Sequence, residues 1–335
     1  MISSVATMRP LSARAVMCLA SVLSVAACAS TRTAGTPNAP AGAAAPAAGR
    51  ASAPAAAAAS KVPMASSKDG TKIAYEVTGS GPALMLVPGG GQARGSWKDR
   101  GYVDRLSKSF TVITLDLRGT GDSDKPAKPG SYTLELMLDD LLAVADAAKA
   151  PKFHLWGFGH GAAIGRYLAA RSDRVISAVL AGTTMGPPVE GMVKDAIVGM
   201  RAKWMPVIEA QAAGTLDKSK LTPGDVVALE GGVAVTTLML GALVDYPVLE
   251  PAEIKAPTLW LIGAADTSAM ENVKAYQPKL KGTAVTLKLL DGLSYSDSFS
   301  KIDPALAAVE PFLKSAAAPT TPSAPYAGSW PSAAR

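Results

Sequence analysis

The stretch WGFGHGAA, residues 156–163, has the glycine spacing of a turn that presents a catalytic nucleophile, yet it carries no nucleophile. In the frame Gly-x-Ser-x-Gly, a sharp strand-to-helix turn exposes a serine hydroxyl. Gly157 and Gly161 hold the outer positions here, and Gly159 stands where the serine would be. Glycine has no side chain, so Gly159 cannot attack a carbonyl carbon.

The proton-transfer partner of such a serine is also missing. A serine nucleophile is activated by an imidazole that takes its proton. The chain has two histidines, His154 and His160, and neither follows residue 161. His154 lies in the apolar run before the turn, a position typical of a packed core residue. His160 follows the turn directly and is the better candidate for a role in a site.

The elements that position this turn are predicted by apolar patterning. Asp69-Gly70 favours a hairpin between residues 61–66 and 71–78. Short apolar runs predict buried strands at Ala83–Val87, Phe110–Leu115, Phe153–Trp156, Val175–Ala181, Thr258–Ile262 and Ala284–Leu290. Helical spacing predicts helices at Leu134–Ala148, Gly161–Arg171 and Pro304–Lys314. Alternating strands and helices indicate an α/β protein with a mostly parallel sheet and helices on both faces.

Residues 186–256 interrupt this alternation with helical stretches rich in Met, Val and Leu. The length and position of the segment favour an inserted helical cap. The alternative is a set of extra packing helices without a role in access to a site.

Five motifs in this order resemble the α/β-hydrolase superfamily. They are LMLVPGGG at 84–91, DLRGTGDSD at 116–124, GFGHG at 157–161, TLWLIGAAD at 258–266 and KLLDGLSYSDSFSKIDPALAAVEPFL at 288–313. The resemblance implies an α/β-hydrolase fold over residues 61–315, with the cap inserted at about 186–256 after the sixth strand.

The resemblance also implies where the site residues lie. Asp266 falls at the acid position of the catalytic triad, Gly159 at the nucleophile position, and Tyr295 at the position of the late histidine. The backbone N–H groups of Gly90 and His160 fall at the oxyanion-hole positions, which implies a surviving site for an anion or carbonyl. The alternative for Asp266 is an ordinary helix-capping aspartate. The chain is thus expected to be a degenerate member that lacks the usual Ser and His.

The glycine at the nucleophile position has a physical explanation. The turn forces its central residue into a backbone conformation that costs a non-glycine residue about 1–3 kcal/mol. Glycine adopts that conformation at little cost. We therefore expect Gly159 to relax the turn, so that the fold is retained while the attack chemistry is removed.

The N-terminal residues resemble a bacterial lipoprotein signal. Arg9 and Arg14 precede an apolar run, Ala15–Ala27, that is too short to span a bilayer permanently. Val25-Ala26-Ala27-Cys28 resembles a lipobox, which implies cleavage after residue 27 and lipidation of Cys28. The alternative is an ordinary signal cleaved at a nearby small residue.

Residues 28–60 and 316–335 are dominated by Ala, Pro, Gly, Ser and Thr, which predicts a disordered tether and a disordered tail. Ala29 differs from the aspartate associated with inner-membrane retention. In a host with two membranes, we therefore expect an exported protein anchored to the outer membrane through its lipid and facing the periplasm.

Composition excludes several function classes. The formal charge of +6 falls to +4 when the two arginines of the signal are removed, and the basic residues are dispersed, so no nucleic-acid partner is expected. Too few histidines and cysteines remain for a metal site, so none is expected. Gly89-Gly90-Gly91 lacks the Lys-Ser/Thr of a phosphate loop, and no cofactor is expected.

Three hypotheses remain. The first is a membrane-tethered protein without serine-hydrolase activity that binds a small apolar or carbonyl ligand. The second is a hydrolase or lyase acting on a small ester or amide-like substrate with non-standard groups, namely His160, Tyr295, Ser294, Ser296 or Asp297. The third is an interaction protein whose pocket is filled. Ligand identity and oligomeric state stay open at this point.

Overall fold

The computed structural model describes residues 62–316. The predicted signal sequence, the lipidation site Cys28, the tether and the tail beyond residue 316 lie outside the described residues.

An eight-stranded sheet forms the centre of the molecule. Its strands are β1 Met64–Ser66, β2 Lys72–Thr78, β3 Ala83–Val87, β4 Thr111–Leu115, β5 Phe153–Phe158, β6 Val175–Ala181, β7 Thr258–Gly263 and β8 Val285–Leu290. Their order in the sheet is β1-β2-β4-β3-β5-β6-β7-β8. The pairs β1–β2 and β2–β4 are antiparallel, and all other neighbours are parallel. The carboxyl ends of the parallel strands therefore meet at one edge, where sites form in such sheets.

Ten α-helices accompany the strands within residues 62–316. They are α1 Gly95–Asp99, α2 Tyr102–Leu106, α3 Leu134–Ala147, α4 His160–Arg171, α5 Gly191–Ala212, α6 Pro223–Glu230, α7 Val233–Ala242, α8 Thr267–Tyr276, α9 Asp297–Ser300 and α10 Ile302–Ser315. Strand β5 runs two residues beyond the predicted Trp156, and α4 begins one residue before the predicted Gly161. The turn between them is therefore a single residue.

The core has two layers because successive strand residues point to opposite faces of the sheet. Along β3, Leu84 and Leu86 belong to a cluster with α1, α2, α9 and α10. Met85 and Val87 belong to the opposite cluster with α3, α4 and the inserted helices. Both faces of the central strands are buried, so these strands read as continuous apolar runs in the sequence.

Helices α5, α6 and α7 form the inserted cap between β6 and β7. Gly186 and Leu249 pair as an isolated antiparallel bridge, with N–O distances of 3.2 and 3.1 Å. The two ends of the cap segment are therefore adjacent to each other. Within the cap, Arg201 of α5 donates a hydrogen bond to the carbonyl of Gly241 at the end of α7, at 3.0 Å.

In residues 62–316 the length and apolar character needed to cross a membrane do not occur together in any single helix. Among these residues, α6 and Val233–Asp245 together have the length and apolar composition of a membrane span, but the two parts are bent by 72° relative to each other.

The loop DLRGTGDSD after β4 is held by a buried ion pair. Arg118 donates to Asp140 of α3 through Nε and Nη2, each at 2.6 Å, and both side chains are fully buried. Its Nη1 donates to Asp69 at 2.9 Å and to the carbonyl of Ser131 at 2.7 Å. Burial alone would lower the pKa of Arg118, but its bonds to Asp140 and Asp69 raise that pKa overall. The guanidinium stays charged and ties the loop, the hairpin and α3 together.

Candidate functional site

The turn between β5 and α4 is a sharp elbow with a glycine at its apex. Gly159 has φ 51° and ψ −114°, a conformation that L-residues rarely adopt. A Cβ on Gly157 would lie within 3.0 Å of Ala162, and one on Gly161 would lie within 3.0 Å of the Val87 carbonyl. The outer glycines therefore allow α4 and β3 to pack closely against the elbow.

The hydroxyl of Tyr295 occupies the space above Gly159. A Cβ built on Gly159 would lie less than 3.0 Å from the Tyr295 hydroxyl oxygen and 3.6 Å from its Cζ. The ring packs on Phe158 with centroids 4.9 Å apart. Gly182, with φ 61°, leaves room for the ring edge, since a Cβ there would be 2.8 Å from Cε2 of Tyr295. The predicted histidine position thus lies at the elbow, and its phenol fills the place of a nucleophile's side chain.

Tyr295 is a poor proton acceptor at neutral pH. The residue is 43% exposed overall. Its hydroxyl end is directed inward at Gly159. Burial raises the pKa of Tyr295 to about 12, and the negative charge of Asp266 adds to the rise. The phenol is therefore neutral, and it can donate a hydrogen bond but not act as a base.

Asp266 caps a helix, and its place as the acid of a triad stays a prediction. It is the N-cap of α8, and its Oδ1 accepts from the Ala269 N–H at 3.1 Å. Its loop is tied to the Tyr295 loop, since the Ala265 N–H donates to the Leu293 carbonyl at 2.9 Å. The positions predicted for nucleophile, acid and histidine are thus brought together, but they hold a glycine, a capping aspartate and a tyrosine.

The other polar groups of the last loop anchor it. Ser294 Oγ donates to Asp297 Oδ2 at 2.9 Å, and the Asp297 N–H donates to Ser294 Oγ at 3.2 Å. The bond from Ser294 lowers the pKa of Asp297. Ser296 is the N-cap residue of α9, and Ser298 Oγ donates to the Tyr295 carbonyl at 2.7 Å. These contacts set the backbone that carries the tyrosine.

His160 is a buried imidazole without a hydrogen-bond partner among residues 62–316. It is 6% exposed, and neither Nδ1 nor Nε2 has a partner there. Burial lowers its pKa to about 4, so the ring is neutral at physiological pH. A neutral imidazole has one donor and one acceptor nitrogen. One donor and one acceptor nitrogen are therefore left without a partner among residues 62–316.

Gly90 and a cap residue border the His160 ring. A Cβ on Gly90 would lie 3.6 Å from Nδ1 of His160 and 3.4 Å from Cδ2 of Leu240 in α7. Sequence reasoning did not identify Leu240, because no local signal shows which cap side chain reaches the elbow. The site is therefore bounded by the loop after β3, the start of α4 and the cap.

Helix α4 begins at the elbow without a capping side chain, because its N-cap residue is Gly159. The first N–H groups of a helix have no partner within the helix, and they attract anions and carbonyl oxygens. His160 contributes the first of these N–H groups. Its convergence with the Gly90 N–H into an oxyanion hole stays a prediction.

His154 takes no part in this site. It is buried in β5, and its Nδ1 lies 2.8 Å from Ser177 Oγ in β6. Burial lowers the pKa of His154 to about 4.

Gly159→Ala should lower the free energy of unfolding by about 2 kcal/mol. Part of the loss comes from the disfavoured φ of the elbow, and part comes from displacing the Tyr295 hydroxyl. Chemical denaturation measures the change. Gly191→Ala is the matched control, since Gly191 has a similar φ of 55° with open space around it. Equal losses in the two variants would show that Tyr295 does not occupy the apex.

The two histidines should make the protein less stable in mild acid. Each has a native pKa of about 4 against about 6.5 in an unfolded chain. The unfolded state therefore binds more protons between these values, and stability falls as pH drops from about 6.5 to 4. We expect a loss of up to about 3 kcal/mol for each histidine. Denaturation at several pH values should show a shallower slope for His160→Leu than for the parent protein.

Within residues 62–316, groups of three or more His, Cys, Asp or Glu placed to hold a metal ion are absent.

Known proteins with similar sequences or structures share one fold with this chain. A family model described as alpha/beta hydrolase fold matches residues 82–208. "Epoxide hydrolase 3" of Siraitia grosvenorii is 34% identical over 108 residues, which are 32% of this chain and 34% of the relative. "Putative carbamate hydrolase RutD" of Agrobacterium fabrum is 33% identical over 97 residues, which are 28% of this chain and 35% of the relative. The chain thus spans about a third of the length of these curated relatives.

Solved structures cover far more of the chain. A thermophilic esterase from Thermogutta terrifontis superposes with a TM-score of 0.60 at 21% identity, over 77% of this chain and 99% of that one. An enol-lactonase from Burkholderia xenovorans superposes with a TM-score of 0.55 at 24% identity, over 75% and 100% of the two chains. These likenesses concern the fold, because the identities are low.

Proposed function

We propose that this chain, which has the fold of the α/β-hydrolase superfamily, is a membrane-tethered protein that binds a small apolar or carbonyl ligand without serine-hydrolase chemistry. The expected fold class, including a mostly parallel sheet with helices on both faces, is confirmed. The ligand, the tether and the absence of hydrolysis are the proposal.

One observation carries the proposal, namely the Tyr295 hydroxyl above Gly159. Acyl transfer needs an attacking atom at this apex and a base beside it. The apex residue has no side chain, and the group beside it is a phenol whose pKa is raised to about 12. His154 is hydrogen-bonded to Ser177, and His160 is enclosed beside Gly90.

The His160 ring supports binding of an uncharged oxygen-containing ligand. Leaving a buried polar group without a partner costs about 1–3 kcal/mol, and a ligand carbonyl would remove that cost by accepting from the ring N–H. The neighbouring Leu240 and Phe158 side chains suit an apolar body. Part of the Tyr295 surface faces solvent, so an outward movement of that ring would make room for the ligand.

The ligand proposal is tested by thermal unfolding with octanamide, an uncharged amide, and with octanoate and ethyl octanoate. A ligand of the native state raises the midpoint. We expect octanamide to raise it for the parent protein and not for His160→Leu. His154→Leu is the matched control, since it removes the other buried imidazole and should keep the shift. A midpoint unchanged by all three compounds would favour an interaction protein with a filled pocket.

The absence of hydrolysis is tested separately. Purified protein should not turn over p-nitrophenyl acetate above background. Turnover that disappears in Asp266→Ala would overturn this part of the proposal.

A catalytic function with non-standard groups is the second candidate. The observation that favours it is the unpartnered His160 imidazole at the elbow, together with relatives named as epoxide and carbamate hydrolases. A neutral imidazole can act as a general base. Hydrolysis of a small carbamate or ester that is lost in both His160→Ala and Tyr295→Phe would establish this candidate. Indifference to both changes would exclude it.

The membrane tether depends on Cys28. Each methylene of an acyl chain that enters the bilayer contributes about 0.8 kcal/mol, so several chains hold a protein firmly. Labelling of cells with a palmitate analogue should mark the parent protein and not Cys28→Ser. The labelled protein should fractionate with the outer membrane.

A further inference from the structure

Helix α6 of the cap is an apolar helix that the fold leaves largely uncovered. Residues 226–229 are all apolar, yet no residue of α6 is buried. Ala228 and Leu229 pack partly against the core. Val227 is 67% exposed, the highest value among the exposed large apolar side chains of residues 62–316. Exposed apolar surface of this kind is typical of contacts with another protein or with a membrane.

The neighbouring helix α5 carries an exposed stripe that is also mainly apolar. Residues three, four or seven positions apart lie on one face of a helix. Met192, Gly199 and Pro206 have this spacing and are exposed, and Met192 is 65% exposed. Lys203 lies on the same face, and its Nζ is 2.7 Å from Oδ1 of Asp225 in α6. This ion pair joins the exposed faces of the two helices. The resulting area, called the cap surface, consists of Met192, Gly199, Pro206, Pro223 and Val227.

The apolar composition of this part of the cap favours a lipid partner. Helix α6 and Val233–Asp245 together have the length and apolar composition of a membrane span, although they are bent by 72°. The buried side of α7 packs in the core of the domain, so this pair does not cross a bilayer as one helix. Helices with one uncovered apolar face lie in the plane of the interface, with that face about 5–10 Å deep.

The chain before the fold is long enough to let the cap face the membrane. Strand β1 runs in the direction of the parallel strands, because β1 and β4 are both antiparallel to β2. The chain therefore enters the domain at the edge opposite the cap. A domain of about 250 residues is roughly 45 Å across. Residues 29–61, which link Cys28 to the fold, reach at most about 110 Å. A lipid on Cys28 therefore permits the cap to lie against the bilayer.

We propose that the cap surface docks on the lipid bilayer, with Met192 and Val227 in contact with the acyl chains. The inference rests on the membrane tether proposed above, which keeps the domain near the bilayer. A weak contact is sufficient, because the tether gives the cap surface a high effective concentration at the membrane. The cap also contributes Leu240, which approaches Gly90 beside the elbow. Docking therefore places the side of the domain that borders the elbow next to a source of apolar ligands.

A fluorescent probe on the cap surface tests the docking. The chain from residue 28 onward is prepared with Cys28→Ser, so that it has no lipid and no other cysteine. Val227→Cys in this background is labelled with the dye NBD, whose emission shifts to the blue in apolar surroundings. We expect a blue shift when phosphatidylcholine vesicles are added to millimolar lipid. Val77→Cys is the matched control, since Val77 is a 46% exposed valine near the amino ends of the parallel strands. Its label should show no shift.

Flotation with the same vesicles measures the strength of the contact. Val227→Asp should lower the bound fraction of the unlipidated chain roughly tenfold, because a charge replaces an apolar contact, whereas Val77→Asp should leave it unchanged. Thermal unfolding checks that each variant is folded. Equal blue shifts at positions 227 and 77, or no vesicle binding by the unlipidated chain, would overturn the docking. A blue shift at 227 that grows with protein concentration without vesicles would assign the cap surface to a second copy of the chain instead. Labelling of Cys28 with a palmitate analogue is independent of these results, so the tether and the docking fail separately.

Discussion

Combining Gly159→Ser with Tyr295→His should create hydrolysis of p-nitrophenyl acetate at least tenfold above background, whereas neither single variant should show it. The elbow keeps the backbone that presents a nucleophile, with φ 51° and ψ −114° at its apex. The ring at position 295 already faces that apex, with Cζ 3.6 Å from the point where a serine Cβ would lie. An imidazole in that place would come within hydrogen-bond reach of the serine hydroxyl.

The two single variants serve as controls. Gly159→Ser alone meets the Tyr295 hydroxyl and has no base. Tyr295→His alone has no nucleophile. Adding Asp266→Asn to the double variant should reduce turnover, because the carboxylate that orients and stabilises the imidazole is lost. Steady-state kinetics measure each variant. Ester turnover that is equal in Gly159→Ser and in the double variant would show that residue 295 does not face the apex of the elbow.

Asp140→Asn should lower the free energy of unfolding by about 3 kcal/mol, because the buried guanidinium of Arg118 would keep Asp69 as its only carboxylate partner among residues 62–316. Arg118 and Asp140 are both fully buried and share two short hydrogen bonds. An asparagine keeps the shape but offers only one acceptor oxygen. Urea denaturation measures the loss.

Glu310→Gln is the matched control for that substitution. Glu310 forms an exposed pair with Lys314 one helical turn away, at 3.4 Å. Exposed pairs of this kind contribute about 0–1 kcal/mol, so the control should unfold almost like the parent. Losses of equal size in the two variants would mean that the Arg118 network does not hold the DLRGTGDSD loop.

Local patterning was sufficient to predict the sheet and the elbow. Buried parallel strands are short apolar runs, and the glycines at 157 and 161 mark a turn where helix and strand approach closely. Helices α1 and α2 were not predicted, because five residues carry too little periodicity to distinguish a helix from a loop.

The site itself was predicted only in part. The motif order placed residue 295 near residue 159, and the structure brings their positions together. The approach of Leu240 to Gly90 involves residues more than 100 positions apart in the chain. Nothing in one sequence records such distances, since they depend on how the cap lies over the sheet.

The bridge between Gly186 and Leu249 has a consequence for how this molecule can diverge. A segment whose two ends are joined at a narrow neck can gain, lose or exchange helices without moving the strands on either side, and lengthening it adds little closure entropy. The parallel sheet and the elbow therefore form a constant base. Changes confined to the segment between Gly186 and Leu249 can therefore alter the cap side chains that a ligand meets, while the sheet stays the same.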